Sequence, residues 1–150
     1  MLVKTYGSAV SSIDAKTITI EVDITRGIKF YLVGLPDNAV KESEQRIRAA
    51  LKNNGYRVPG KQIVINMAPA DIRKEGSAYD LPLAIGVLAA NKEFDDSKLA
   101  DFVIMGELSL DGSILPIKGA LPIAIQAKEE GFKGRFLPKE NAREAAIVND

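Results

Sequence analysis

From Thr17 to Thr25 apolar and polar residues alternate without interruption, with Ile18, Ile20, Val22 and Ile24 on one side and Thr17, Thr19, Glu21, Asp23 and Thr25 on the other. Alternation at a period of two marks a strand with one buried face. Arg26-Gly27 turns the chain and Phe30 to Val33 supplies another strand. The opening segment, Val3 to Val10, is predicted to pair with these two as an antiparallel meander. Further on, Ile63, Ile65 and Met67 alternate as the next strand.

The period then changes to that of helices. Gly34-Leu35-Pro36-Asp37 breaks the third strand, and Asp37 is placed to cap a helix running to about Asn54, where Gly55 stops it. Val40, Ile47 and Leu51 form its apolar stripe, while Glu42 with Arg46 and Glu44 with Arg48 are acid-before-base pairs expected on a solvated face. After a loop from Ala68 to Tyr79, Asp80 is predicted to cap a second helix with Pro82 in its first turn. Leu81 to Ala90 is apolar nearly all round and predicts a buried central helix.

Asp101 to Gly106 and Ser113 to Pro116 read as strands, and Asp111-Gly112 between Leu110 and Ser113 predicts a tight hairpin. A third helix is expected from about Gly119 to Glu130, with Gly131 as its stop; Phe132 to Leu137 is a further strand, and a short helix starts near Lys139. The order fits a two-layer α+β sandwich, a mixed sheet with helices on one face, better than a strict βαβ repeat.

Composition narrows the function more than the fold. At 150 residues the chain has room for one domain, 1–150, and one core. Lys and Arg number 20 against 20 Asp and Glu, so any charge-driven contact with DNA has to come from a local patch. With no His and no Cys, His- and Cys-based nucleophiles and the thiolate and imidazole ligands of zinc are excluded. No apolar run is long enough to span a membrane and no signal peptide opens the chain, which is therefore expected to be soluble, cytoplasmic and without a membrane partner. No glycine-rich phosphate loop is present, so ATP binding by this chain has no support and no cofactor is expected in it. Carboxylate pairs such as Glu93 with Asp95-Asp96, or Glu129-Glu130, lie in polar stretches where solvent screens them, and none has the spacing of a metal cage. A Ser–Lys pair is the one hydrolytic device left open, and Ser77, just ahead of the buried helix, is its candidate nucleophile.

Five blocks, GLPDNAVKESEQRIRAAL from Gly34, NMAPADIRKEG from Asn66 running into SAYDLPLA, MGELSLDGSILPIKGALPIA from Met105 and LPKENAREAAIV from Leu137, closely resemble the N-terminal domain of the Mg-chelatase-like AAA+ proteins, the ComM/YifB family. The resemblance covers essentially the whole chain. It implies a Lon-protease-type fold, shared with the GHMP small-molecule kinases, set ahead of an AAA+ ATPase module that would supply ATP and Mg²⁺ binding and motor activity on DNA in recombination and natural transformation. The chain would then be a piece of a longer protein, cut slightly short of the domain's end, with the AAA+ module of the same polypeptide as its first partner. Alone it is expected to be monomeric or weakly associating. The chelatase name implies no magnesium insertion here.

Lon-type peptidases carry K-D-G-P-S-A-G and L-P-I-G-G-L-K, with the serine four positions after the first lysine and the catalytic lysine six after the first leucine. Counted from Lys74 and Leu115, the dyad positions fall on Ala78 and Leu121, which can neither attack a carbonyl nor take a proton. Ser77 is one residue from the nucleophile position, and Lys118 is the nearest lysine, three residues before the base position. The resemblance thus implies an accessory, non-catalytic domain, with an unconventional Ser–Lys hydrolase as the alternative. The loop carrying Arg73, Lys74, Gly76 and Ser77 is a candidate contact surface for DNA or a protein partner, since two basic residues beside a glycine suit phosphate contacts.

Overall fold

The computed structural model describes residues 1–11, 13–56 and 62–146. Strands β1 (Leu2–Ser11) and β2 (Asp14–Thr25) form a long antiparallel hairpin, and β4 (Gln62–Ala68) pairs antiparallel on the other side of β2. Register places like with like: Val3 faces Val22, and Ile20, Val22 and Ile24 face Met67, Ile65 and Ile63. These side chains are buried on one face of the sheet, as the alternation required.

The expected meander is incorrect in one respect. β3 (Phe30–Val33) does not join β2; the sheet order is β1-β2-β4-β3, with β3 parallel to β4. The place beside β2 goes to the longer strand, whose Ile63, Ile65 and Met67 are wholly buried, whereas the four-residue β3, with Tyr31 and Val33 exposed, takes the edge. A parallel pair needs a crossover, and α1 (Asn38–Lys41) and α2 (Ser43–Asn53) supply it. Asp37 caps α1 as predicted, accepting from Val40 N at 2.8 Å. The single predicted helix is broken at Glu42, where Arg46 Nη2 donates to the carbonyl of Ala39 at 2.8 Å.

Helix α3 (Asp80–Ala90) is the buried central helix, packed on β1 and β2, with α2 against its other side. It approaches so closely that a Cβ on Gly86 would lie 2.6 Å from a methyl of Val22. α4 (Ala120–Glu129) covers the same face of the sheet, so the helices lie on one side and Lys4, Asp23 and Tyr31 stay toward solvent on the other. The C-terminal half adds a parallel pair, β5 (Phe102–Ile104) with β8 (Gly134–Phe136), and a small hairpin, β6 (Glu107–Leu108) with β7 (Ile114–Leu115). The Asp111-Gly112 turn forms as expected. Hydrogen bonds from Ser109 and Ser113 lower the pKa of Asp111 to about 2. Two asparagines at the end of α2 clamp this hairpin, Asn53 onto Leu110 O and Asn54 onto Asp111 O. A 3₁₀ turn at Lys139–Asn141 leads into α5 (Ala142–Ala145).

Candidate functional site

After β4 the chain passes into the 69–79 loop, which is stitched to the Gly34–Asp37 corner by paired backbone bonds: Lys74 N to Leu35 O and Asp37 N to Lys74 O, both 2.9 Å. One consequence contradicts the expectation for Lys74. Its side chain is fully buried beneath the corner, where Nζ donates to Gly34 O at 2.6 Å and to Pro69 O, so it cannot reach DNA or a partner. Burial also lowers its pKa from the ordinary lysine value. Arg73 does stay exposed, but it is paired with Glu75 at 3.2 Å.

Asp37 links both ends of this construction. One of its oxygens caps α1 and the other takes Gly76 N at 3.1 Å, with Gly76 at a φ of +86° that a glycine adopts freely. Ser77 follows, its hydroxyl donating to Glu107 Oε1 at the start of β6. Tyr79 is buried, and burial together with the charges of Asp37 and Glu75 raises its pKa.

Asp80 was expected as a helix cap, and that expectation is also incorrect. Its carboxylate turns inward, wholly buried, and accepts from Ser43 Oγ (2.6 Å), Arg46 Nε (2.6 Å) and Nη2 (3.0 Å) and the backbone N of Leu108 (3.0 Å). The Arg46 of the supposedly solvated pair with Glu42 is therefore mostly committed to the interior, its distance to Glu42 being 3.6 Å. Glu44 and Arg48 do pair on the surface at 3.0 Å.

Asp37 and the Glu75–Tyr79 end of the loop form one wall of a cleft of about 710 Å³. Gly76, Ser77 and Ala78 line one part of it, and Pro116 to Gly119 another. Asn141 fixes the second segment by bonding both backbone groups of Ile117, its Oδ1 accepting from N and its Nδ2 donating to O, each at 2.9 Å. Ser77 and Lys118 thus share one cleft. Leu121 lies outside the lining, in the first turn of α4, where its N–H donates to Glu144 at 3.0 Å. Neither Ala78 nor Leu121 brings a group that could transfer a proton.

Of the candidate contact residues, Gly76 and Ser77 line the cleft, Arg73 stays outside its lining and Lys74 is buried. The cleft also contains residues that sequence reasoning did not mark: Ser8 from β1, Met105, and the carboxylates of Asp37 and Glu107. Ser8 had a faint signal, because the buried Thr5, Gly7, Ser8 run departs from strict alternation. Glu107 had none. Among the described residues no three His, Cys, Asp or Glu side chains gather in a way that would hold a metal ion, and no helix is long and apolar enough to cross a membrane.

A mixed sheet with helices on one face defines an α+β domain, and Lon proteases are among the proteins whose sequences it resembles. A family model for subunit ChlI of Mg-chelatase matches residues 20–141, and the chain belongs to that Mg-chelatase-like family. It is 42% identical over 146 residues to the competence protein ComM of Haemophilus influenzae, covering 97% of this chain and 28% of ComM. It is also 42% identical over 142 residues to the uncharacterized protein YifB of Escherichia coli, covering 94% of this chain and 28% of YifB. A Lon protease of Mycoplasma mobile is 27% identical over 151 residues, covering 97% of this chain and 17% of the protease. The chain spans under a third of the length of these relatives.

Proposed function

We propose that this chain is a non-catalytic accessory domain of an AAA+ ATPase that acts as an ATP-driven motor on DNA in recombination and natural transformation. The observation that carries the reading is the occupancy of the dyad positions: in a fold and a cleft of Lon type, Ala78 and Leu121 supply no nucleophile and no base. Family membership and the similarity to a competence protein support the motor and its setting. In this reading ATP and Mg²⁺ bind the ATPase module of the same polypeptide, and among the described residues no three His, Cys, Asp or Glu side chains gather to hold a metal ion. The chain's first partner is that module, and its own association is weak.

A serine-directed fluorophosphonate tests the absence of catalysis. Neither the wild-type chain nor the Ala78→Ser variant should be labelled, because no base is positioned at residue 121 to take the hydroxyl proton. An adduct at Ser77 found by mass spectrometry would establish the alternative, a Ser–Lys hydrolase using Lys118.

The 69–79 rim serves a protein contact rather than DNA. Lys74 is withdrawn, Arg73 is neutralised by Glu75, and the cleft behind them carries Asp37 and Glu107. In the full-length protein, Arg73→Ala should change the slope of log K for DNA against log salt by less than about 1 unit, the amount one lost phosphate contact would remove. A loss of a full unit would place the rim on the DNA path.

A further inference from the structure

Ser8 has 2% of its surface exposed, and its hydroxyl is the one buried side-chain polar atom among the described residues without a hydrogen-bond partner. It lines the cleft. Buried hydroxyls are almost always satisfied, and one left unpaired against a cavity is a group that a ligand's donor or acceptor would complete. The charges of the lining are also unbalanced, with the carboxylates of Asp37, Glu75 and Glu107 against the single ammonium of Lys118. Asp37 uses both oxygens on backbone N–H groups, and Glu75 pairs with Arg73. Glu107 accepts from Ser77 through Oε1, and a cation acting on it is the Arg46 guanidinium, whose closer ion pair is with Asp80. Met105, Ile117 and Ile123 add apolar wall.

We propose that the cleft binds a basic side chain, the guanidinium or ammonium of an arginine or lysine carried by an extended peptide. Glu107 supplies the counter-charge, Ser8 bonds the peptide backbone, and the apolar wall covers the aliphatic stem. Arginine and lysine combine such a stem with a charged head, which matches a lining that is apolar in one part and acidic in another. A phosphate or carboxylate ligand would meet net negative charge. A polyamine would bring several ammonium groups to the Glu107 carboxylate and leave Ser8 without an amide. The inference goes beyond the accessory-domain reading and stands without it, since it concerns only what this cleft holds.

Fluorescence anisotropy with a labelled, blocked Ala-Ala-Arg-Ala-Ala peptide and its citrulline twin tests this, citrulline being the neutral isostere of arginine. The arginine peptide should bind at least about tenfold more tightly, the range of one charge-assisted hydrogen bond, and lose affinity as salt is raised. Glu107→Gln should remove most of the difference between the twins, leaving at most the few-fold that the other lining charges supply. Ser8→Ala should weaken binding of both peptides while raising resistance to urea, because it removes the unpaired hydroxyl; a purely structural residue would not separate the two effects. If Glu107→Gln fails to fold, the exposed variants decide: Glu75→Gln should weaken and Lys118→Ala should tighten arginine-peptide binding, each by a few-fold. Equal binding of the twins, or no binding of either, overturns the proposal. Spermidine competing as well as the unlabelled arginine peptide overturns the peptide assignment.

Discussion

Replacing Asp80 with alanine lowers the free energy of unfolding by about 3–5 kcal/mol, the usual cost of removing one partner from a buried charge pair. The carboxylate is wholly buried and accepts from Ser43, Arg46 and Leu108 N, so its loss strands a guanidinium, a hydroxyl and a backbone donor together. Asparagine should be little better, since its NH₂ would face donors on that side. A double variant, Asp80→Leu with Arg46→Met, should recover part of the loss by removing both charges. Urea titration measures all of these, and a change under about 1 kcal/mol for Asp80→Ala would show that the network contributes no more than a surface contact. The effect should extend to the cleft. Asp80 closes a turn onto Ser77, its N–H donating to Ser77 O at 3.1 Å, and its carboxylate grips the residue after Glu107, so the Ser77–Glu107 contact depends on it.

Lys74→Met costs about 2–4 kcal/mol, because the carbonyls of Gly34 and Pro69 lose a donor and are left under-satisfied beneath the loop. The same variant has a pH signature. Burial lowers the pKa of Lys74 below its ordinary 10.5, so on titration the folded protein releases this proton before the unfolded chain does. Between the folded value and 10.5 the unfolded state holds more protons and stability rises with pH; below the folded value the cost of burying the charge is constant. Tyr79 acts in the opposite direction. Burial raises its pKa, the unfolded chain ionises first, and stability falls as pH climbs past 10. Denaturant titrations across the alkaline range should show a rise below about pH 10 in the wild type that Lys74→Met abolishes, with the later fall retained. Identical profiles for both proteins would show that Lys74 stays charged at no cost in its pocket.

Much of this molecule follows from short-range rules that a sequence states openly. A buried strand face requires alternation, and Ile18 to Ile24 and Ile63 to Met67 supply it; a helix end needs its free N–H groups capped, and Asp37 does so at the predicted place. Glycine at positive φ marked the Asp111-Gly112 hairpin and the ends of helices for the same local reason. Family blocks spread along the chain gave its membership of the Mg-chelatase-like family, which the family model over residues 20–141 bears out.

Partnership across the fold was not legible, because it depends on which segments tertiary packing brings together. Sheet order was one such case: the choice of β4 over β3 beside β2 turned on which strand carries the longer buried face, Ile63, Ile65 and Met67. Asp80 and Asp37 look alike as helix-capping residues, yet Asp80 faces Arg46 from another helix and turns inward. Lys74 sits in a run, Arg73-Lys74-Glu75, that reads as solvated charge, and only the crossing of the Gly34–Asp37 corner buries it. The cleft likewise joins Ser8, Ser77, Glu107 and Lys118 from four distant stretches. The sequence determined the elements and the family, since each depends on residue type and local spacing. The tertiary structure decided which charges are buried, which pair, and what the cleft presents, since burial and pairing are set by long-range neighbours that no local pattern encodes.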